Sequence, residues 1–233
     1  MFNMLLRVTD HTVSDNTVTE GSPDGRPTSG AAMTAPRAHR ASARDIAVIA
    51  VFAAITAALG LLPAIYLPIS PVPITAQTFG VILAGAVIGG RRAFASQLLF
   101  LALVAIGLPI LAGGRGGIGV FASPTVGFLI AFPIAAGLIG WATQVVGAPY
   151  RIVPGLVINT AFGIGLTYLF GWTGMLAATH LGPRAAFVAL APFLIGDAVK
   201  VVLATATAKG VHASYPGLLS RRRPHRGAAP DPA

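Results

Sequence analysis

Cysteine is missing from all 233 residues, which excludes disulfide staples and thiolate metal sites. Acidic side chains are nearly as scarce, numbering seven, and none falls between Ile46 and Gly196. The same stretch carries only five basic residues, Arg91, Arg92, Arg115, Arg151 and Arg184. Charged residues make up 10% of the chain, against about a quarter in a soluble domain, so a water-solvated surface cannot be built from this inventory. The net charge of +9 does not bring back a nucleic-acid reading, because the basic residues sit in flanks and short loops and not in one stripe. No GxxxxGK[ST] run is present, so ATP is not held by a phosphate-binding loop of this chain. Gly114, Gly116 and Gly119 do satisfy GxGxxG, but no acid follows about 20 residues on to hold a ribose, which removes the dinucleotide reading. With no metal-ligand cluster and no nucleophile beside an oriented base, an enzyme is not expected, and neither a metal nor a cofactor is called for.

What the chain does have is apolar length. Hydrophobic residues make up 55% and the mean hydropathy is +0.77, the composition of an all-α integral membrane protein. Six runs are long enough to cross about 30 Å of hydrocarbon as helices, which predicts a compact six-transmembrane-helix bundle. They cover Ile46–Leu67, about Val72–Gly89, Ala93–Leu111, Thr125–Val146, Ile152 to about Leu176, and a sixth that starts between Ala185 and Pro192 and ends near Ala208. Each stops at glycine, proline or charge. Three regions follow: a disordered extension over 1–45, the bundle over 46–208, and a basic tail over 209–233. The extension holds four of the seven acids in its first 24 residues and lacks a signal peptide's basic, apolar, small-residue order.

The basic residues orient the bundle. With the amino terminus cytoplasmic, the inner flanks hold Arg37, Arg40, Arg44, Arg91, Arg92, Arg151, Lys209 and Arg221 to Arg223, and the outer loops hold only Arg115 and Arg184. An even span count with both termini cytoplasmic is the expectation.

Polar residues inside such spans are costly and point to a site. Asp197 and Lys200 lie at i and i+3 on one helical face. They form either a ligand site or an ion pair that locks two helices. Arg115 stands among glycines in the loop LAGGRGGIGVFASPT, and its planar fork suits a carboxylate; an arginine at the headgroup level is the plainer reading. Together the three side chains leave about one positive unit, which suits a monoanion. Gln97 and Asn159 are the next candidates, because an amide both donates and accepts. Gln77, Thr78 and Thr160 serve either helix packing or ligand contact. Ala50, Ala54 and Ala58 in the first span form a smooth face for another helix, in this chain or in a partner.

The stretch ISPVPITAQTFGVILAGAVIGGRRAFASQLLFLALVAIGLPILAGGRGGIGVFASPTVGFLIAFPIAA, followed by PFLIGDAVKVVLA, resembles the biotin transporter BioY family, the substrate-binding S components of energy-coupling factor transporters. The resemblance spans about Arg44 to Gly210 and rests on PITAQT, the glycine loop before SPT, and DxxK. It implies a six-helix membrane protein that binds biotin near its outer side. It also implies assembly with a transmembrane coupling protein and two ABC ATPase subunits, whose ATP hydrolysis drives inward release. By motif, Arg115 and Lys200 are implied to engage the biotin carboxylate, with Asp197 holding Lys200 or meeting a polar group of the ligand. Gln97 and Asn159 are polar contacts, and Phe100, Phe121 and Phe128 cover the apolar ring and chain. The Ala50, Ala54, Ala58 face corresponds to the docking surface for the coupling protein. Departures from the family pattern are Phe100 and Phe128 where tyrosine is common, and Ser123 where glycine is frequent. Two other readings stand beside biotin uptake: an S component for another small anionic vitamin, and a membrane scaffold without transport.

Overall fold

A computed structural model describes residues 42–215. The expected extension over 1–45 and tail over 209–233, including Arg221 to Arg223, therefore fall largely outside the described residues. Ser42 opens the first helix, α1 (Ala43–Gly60), with a capping box in which Ser42 Oγ accepts from Asp45 N–H and Asp45 accepts from Ser42 N–H. The helix stops at Gly60, well short of the expected Leu67. Pro63 disfavours a helical Leu62, and Gly60 is itself pressed against the Ile110 carbonyl, where no side chain fits. Residues 61–76 are non-helical, folded back on themselves by a bridge between Ile65 and Ile74.

Helix α2 (Gln77–Ile88) begins five residues later than the expected Val72, after the proline-containing SPVP turn, and α3 (Gly90–Ala105) follows it after a single residue. Gly89 makes that reversal at φ +81°, a conformation only glycine adopts without strain. Arg91 and Arg92 thus belong to the first turn of α3 and not to a loop, while Gly107 and Pro109 end the helix before the expected Leu111. A 3₁₀ turn over Ile118–Ala122 precedes α4 (Val126–Val146), whose bounds agree with the expected fourth span.

The fifth pass is one continuous helical rod of three parts: α5 (Ile152–Ile158), a π-helical segment (Asn159–Leu166) and α6 (Thr167–Ala178). A short α7 (Pro183–Val188) leads into α8 (Ala191–Ser214), which settles the start of the sixth pass. Six helical passes result among the described residues, and the protein is a multi-pass, all-helical membrane protein. Four of the helical rods are long and apolar enough by themselves to cross a membrane. The other two passes, α2 and α3, are shorter or carry arginine.

Helix α2 is the axis of the bundle. Ten of its twelve residues are buried, and it packs against α1, α3, α4, α8 and the π segment. Exposed apolar side chains such as Val51, Trp141, Val157, Ile195 and Val202 ring the outside, the inverse of a soluble protein and the pattern a lipid solvent permits. Small residues let the helices meet. A Cβ at Gly140 would strike the backbone of Gly89 and Gly90, and one at Gly127 would strike the Phe170 carbonyl.

Candidate functional site

A cavity of about 50 Å³ lies at the end of the bundle where α2 and α4 begin. Its wall is built from five pieces of chain: Val72, Pro73 and Thr75 before α2, Gln77 and Thr78 in α2, the 111–125 loop, Phe128, Leu129 and Phe132 of α4, and Phe193, Asp197 and Lys200 of α8. The wall is aromatic where Phe128 of α4 stacks on Phe193 of α8 with ring centroids 6.2 Å apart, and ionic further along α8 at Asp197 and Lys200.

The ionic side is a closed network. Lys200 Nζ donates to Asp197 Oδ1 at 2.7 Å, to the Thr75 carbonyl at 2.6 Å and to Thr78 Oγ1 at 3.1 Å. Its three N–H bonds are therefore all taken. Thr78 Oγ1–H donates to Asp197 Oδ1 at 3.0 Å, and Tyr168 O–H donates to Asp197 Oδ2 at 2.8 Å. Three partners hold one carboxylate whose side chain is 4% exposed, which is what a buried charge requires if it is to stay charged. The i, i+3 spacing announces the pair, but its partners are distant in sequence. Thr78 lies 119 positions from Asp197 and Tyr168 lies 29, and no local pattern links them. Tyr168 escaped the sequence reading; the signal that points to it is a tyrosine inside the apolar run TYLFGW, since a hydroxyl there needs a partner.

Arg115 reaches the cavity from the 111–125 loop. Gly113 and Gly114 turn the chain at φ +73° and +69°, and the Leu111 and Arg115 backbones pair across that turn. The Arg115 Nε–H donates to the Ala112 carbonyl at 3.2 Å. Among the described residues Arg115 makes no ion pair, whereas Arg92 is paired with Asp45 and Lys200 with Asp197. The cavity wall thus holds a neutralised pair from α8 and, from the loop, a guanidinium with unspent terminal N–H groups.

The structure brings Arg115, Asp197, Lys200 and Phe128 together around this cavity. Gln97 sits elsewhere, fully buried between α1 and α3, and donates to Thr56 Oγ1 at 3.0 Å. Phe100 is also fully buried, in the core beside Phe132 at 6.5 Å. Phe121 lies in the 3₁₀ turn, partly buried against the core. Asn159 is buried farther down the bundle, where its Nδ2 donates to Thr205 Oγ1 at 2.8 Å. Ala50, Ala54 and Ala58 form an exposed row on α1, with Ala53 turned inward. Near the far end of α8, Tyr150 stacks on His212 at 5.1 Å and burial pushes its phenol up from the usual range.

The family model for the BioY family matches residues 33–217. Among curated proteins, the chain is similar to the biotin transporter BioY of Rhizobium etli, 44% identical over 77% of this chain and 99% of that protein. It is likewise similar to the biotin transporter BioY of Rhodobacter capsulatus, 42% identical over 77% of this chain and 98% of that protein. Among solved structures, the S-component for biotin from an ECF-type ABC transporter, at 2.1 Å, matches with a TM-score of 0.70 and 28% identity. That match covers 73% of this chain and 91% of the other.

Proposed function

Because the chain belongs to the BioY family, we propose that it captures biotin and serves in its uptake as the S component of an ECF-type ABC transporter. It is a transport protein and not an enzyme. The observation that carries the reading is the division of charge in the cavity wall: Arg115 on the loop, without an ionic partner among the described residues, and the Asp197–Lys200 pair on α8. Biotin has a matching division, a carboxylate on an apolar chain at one end and a urea that both donates and accepts at the other.

Arg115 is the carboxylate-binding group in this reading, since its terminal N–H groups are unspent. Lys200 has given its protons to Thr75, Thr78 and Asp197 and supports the carboxylate only by shedding one of these partners. Asp197 accepts two bonds on Oδ1 and one on Oδ2, which leaves acceptor capacity for one ligand N–H. Phe128, Phe132 and Phe193 cover the apolar middle; Phe100 backs Phe132, while Gln97 and Asn159 bond to Thr56 and Thr205 and, like Phe121, do not line the cavity. The cavity volume of about 50 Å³ is well below the roughly 300–1,000 Å³ of small-molecule sites, so the wall parts when ligand enters. The 107–125 loop, with glycines at positive φ and no helix beyond the five-residue 3₁₀ segment Ile118–Ala122, is the part of the wall with the freedom to do so.

The exposed row Ala50, Ala54, Ala58 is the docking face for the coupling protein, because small side chains let a second helix approach closely. Two ABC ATPase subunits supply the ATP hydrolysis. The termini face the cytoplasm, with Arg91, Arg92, Arg151 and Lys209 on that side and the cavity on the other.

Labelled biotin titrated into the purified chain tests this reading. Saturable binding at one site per chain supports it. Binding of a different anionic vitamin in place of biotin corrects the cargo, and binding of neither leaves a membrane scaffold.

A further inference from the structure

The rod Ile152–Ala178 is tied to α8 at two points, by Asn159 to Thr205 and by Tyr168 to Asp197. Nine residues separate Asn159 from Tyr168. In an α-helix, at 3.6 residues per turn, nine residues make about 2.5 turns and point the two side chains to opposite faces. Both nevertheless meet the same neighbour. On α8 the partners are eight residues apart, about 2.2 turns, and so share roughly one face. The mismatch is absorbed between them: Asn159–Leu166 is wound as a π-helix, whose i→i+5 bonds admit more residues to each turn and slip the phase of everything that follows. Without that slip Tyr168 would face away from α8.

The lower tie is anchored firmly. Asn159 is fully buried, and Thr205 accepts its amide proton while donating to the Val201 carbonyl at 2.7 Å. The upper tie meets the site itself, since Tyr168 is the partner recorded on Asp197 Oδ2, the oxygen that Lys200 and Thr78 leave free. Tyr168 does not line the cavity, so it acts through Asp197.

From this we infer that Tyr168 is a positioning residue for ligand recognition and that the π segment is the register device that delivers it: its hydroxyl fixes the rotamer of Asp197 so that the remaining acceptor of Oδ2 faces the cavity. The inference rests on the proposed biotin site for its functional meaning, while the contact itself is independent of cargo. It assigns a purpose to eight residues of unusual winding. Rewinding the same nine residues as regular α-helix would break the upper tie and keep the lower one, whereas a helix one residue shorter would need no π turn.

The test uses the full chain, purified in detergent, with Tyr168→Phe, Asp197→Asn, the double variant and deletion of Gly165, an exposed glycine of the π segment. Two quantities are read: affinity for labelled biotin, and the melting midpoint without ligand. Tyr168→Phe is expected to weaken biotin roughly tenfold, the effect of one charge-assisted hydrogen bond, and to lower the biotin-induced rise in melting midpoint more than the ligand-free midpoint. Deletion of Gly165 leaves an eight-residue separation that regular α winding matches to the eight residues on α8, so it is expected to keep the Tyr168 contact, with Tyr168→Phe as costly in that background as in the unmodified chain. Without ligand, Tyr168→Phe and Asp197→Asn are non-additive. Affinity within twofold of the unmodified chain for Tyr168→Phe overturns the inference, as does additivity in the melting cycle. If the unmodified chain binds no biotin, the proposed cargo falls, and the melting cycle still decides whether Tyr168 holds Asp197. If the deletion variant does not fold, Tyr168→Phe and the cycle carry the test.

Discussion

Arg115 and Lys200 carry the same charge and differ in what they have left to give. Arg115→Ala is expected to weaken biotin about 100-fold, the loss of a two-point charged contact, and Arg115→Lys to recover part of that, since a lysine keeps the charge but not the fork. Equilibrium binding on the purified variants separates the two. Lys200→Met has another consequence, because it strands Asp197 in a site where its side chain is 4% exposed. Removing one partner of a buried pair costs about 3–5 kcal/mol, so the melting midpoint falls well below that of Arg115→Ala. Asp197→Asn combined with Lys200→Met restores much of that midpoint without restoring binding. A recovery of stability that fails in the double variant would show that the pair is not held as described. At this scale the chain was readable where chemistry is local. The i, i+3 pair and the arginine between glycines stand out by rarity, but Thr75, Thr78 and Tyr168 could not be matched to them, because the contacts that give them meaning join segments 29 to 125 positions apart.

Glycines decide how closely the helices approach. Gly127 of α4 faces the Phe170 carbonyl of α6 and the Gly174 Cα. A methyl there forces the two helices apart, and Gly127→Ala is expected to cost about 1–3 kcal/mol, the ordinary price of overpacking. Gly182→Ala, where a Cβ meets nothing, is the matched control. A thermal melt of both variants checks it: a drop of several degrees for the first and almost none for the second. The number of passes was legible from apolar length alone, and α4 even to its bounds. The ends of α1, α2 and α3 were not. Hydropathy continues through Leu61–Leu67 and Val72–Ala76 while prolines and the Ile65–Ile74 bridge dictate an irregular path. The π winding has no signature of its own in composition, since Asn159–Leu166 differs from its flanks only by ordinary Asn, Thr and Gly; it shows in which side chains reach α8.

For the molecule as a whole, the proposed orientation and assembly rest on where charge and small residues lie. The absence of cysteine makes labelling simple. Single cysteines at Ile69 and Ile118 should react with an impermeant maleimide on intact cells, and one at Ala148 only after the membrane is opened. The reverse pattern would invert the proposed topology. Ala54→Trp on the exposed row of α1 should abolish co-purification with the coupling protein and leave biotin affinity of the isolated chain within twofold, since α1 lends no residue to the cavity wall. A variant that still assembles would move the docking face elsewhere. The most direct test of the central claim is a structure of the protein determined with biotin bound. It is predicted to show the carboxylate within hydrogen-bonding distance of the Arg115 guanidinium and the urea beside Asp197; biotin resting anywhere other than between these two groups would contradict it.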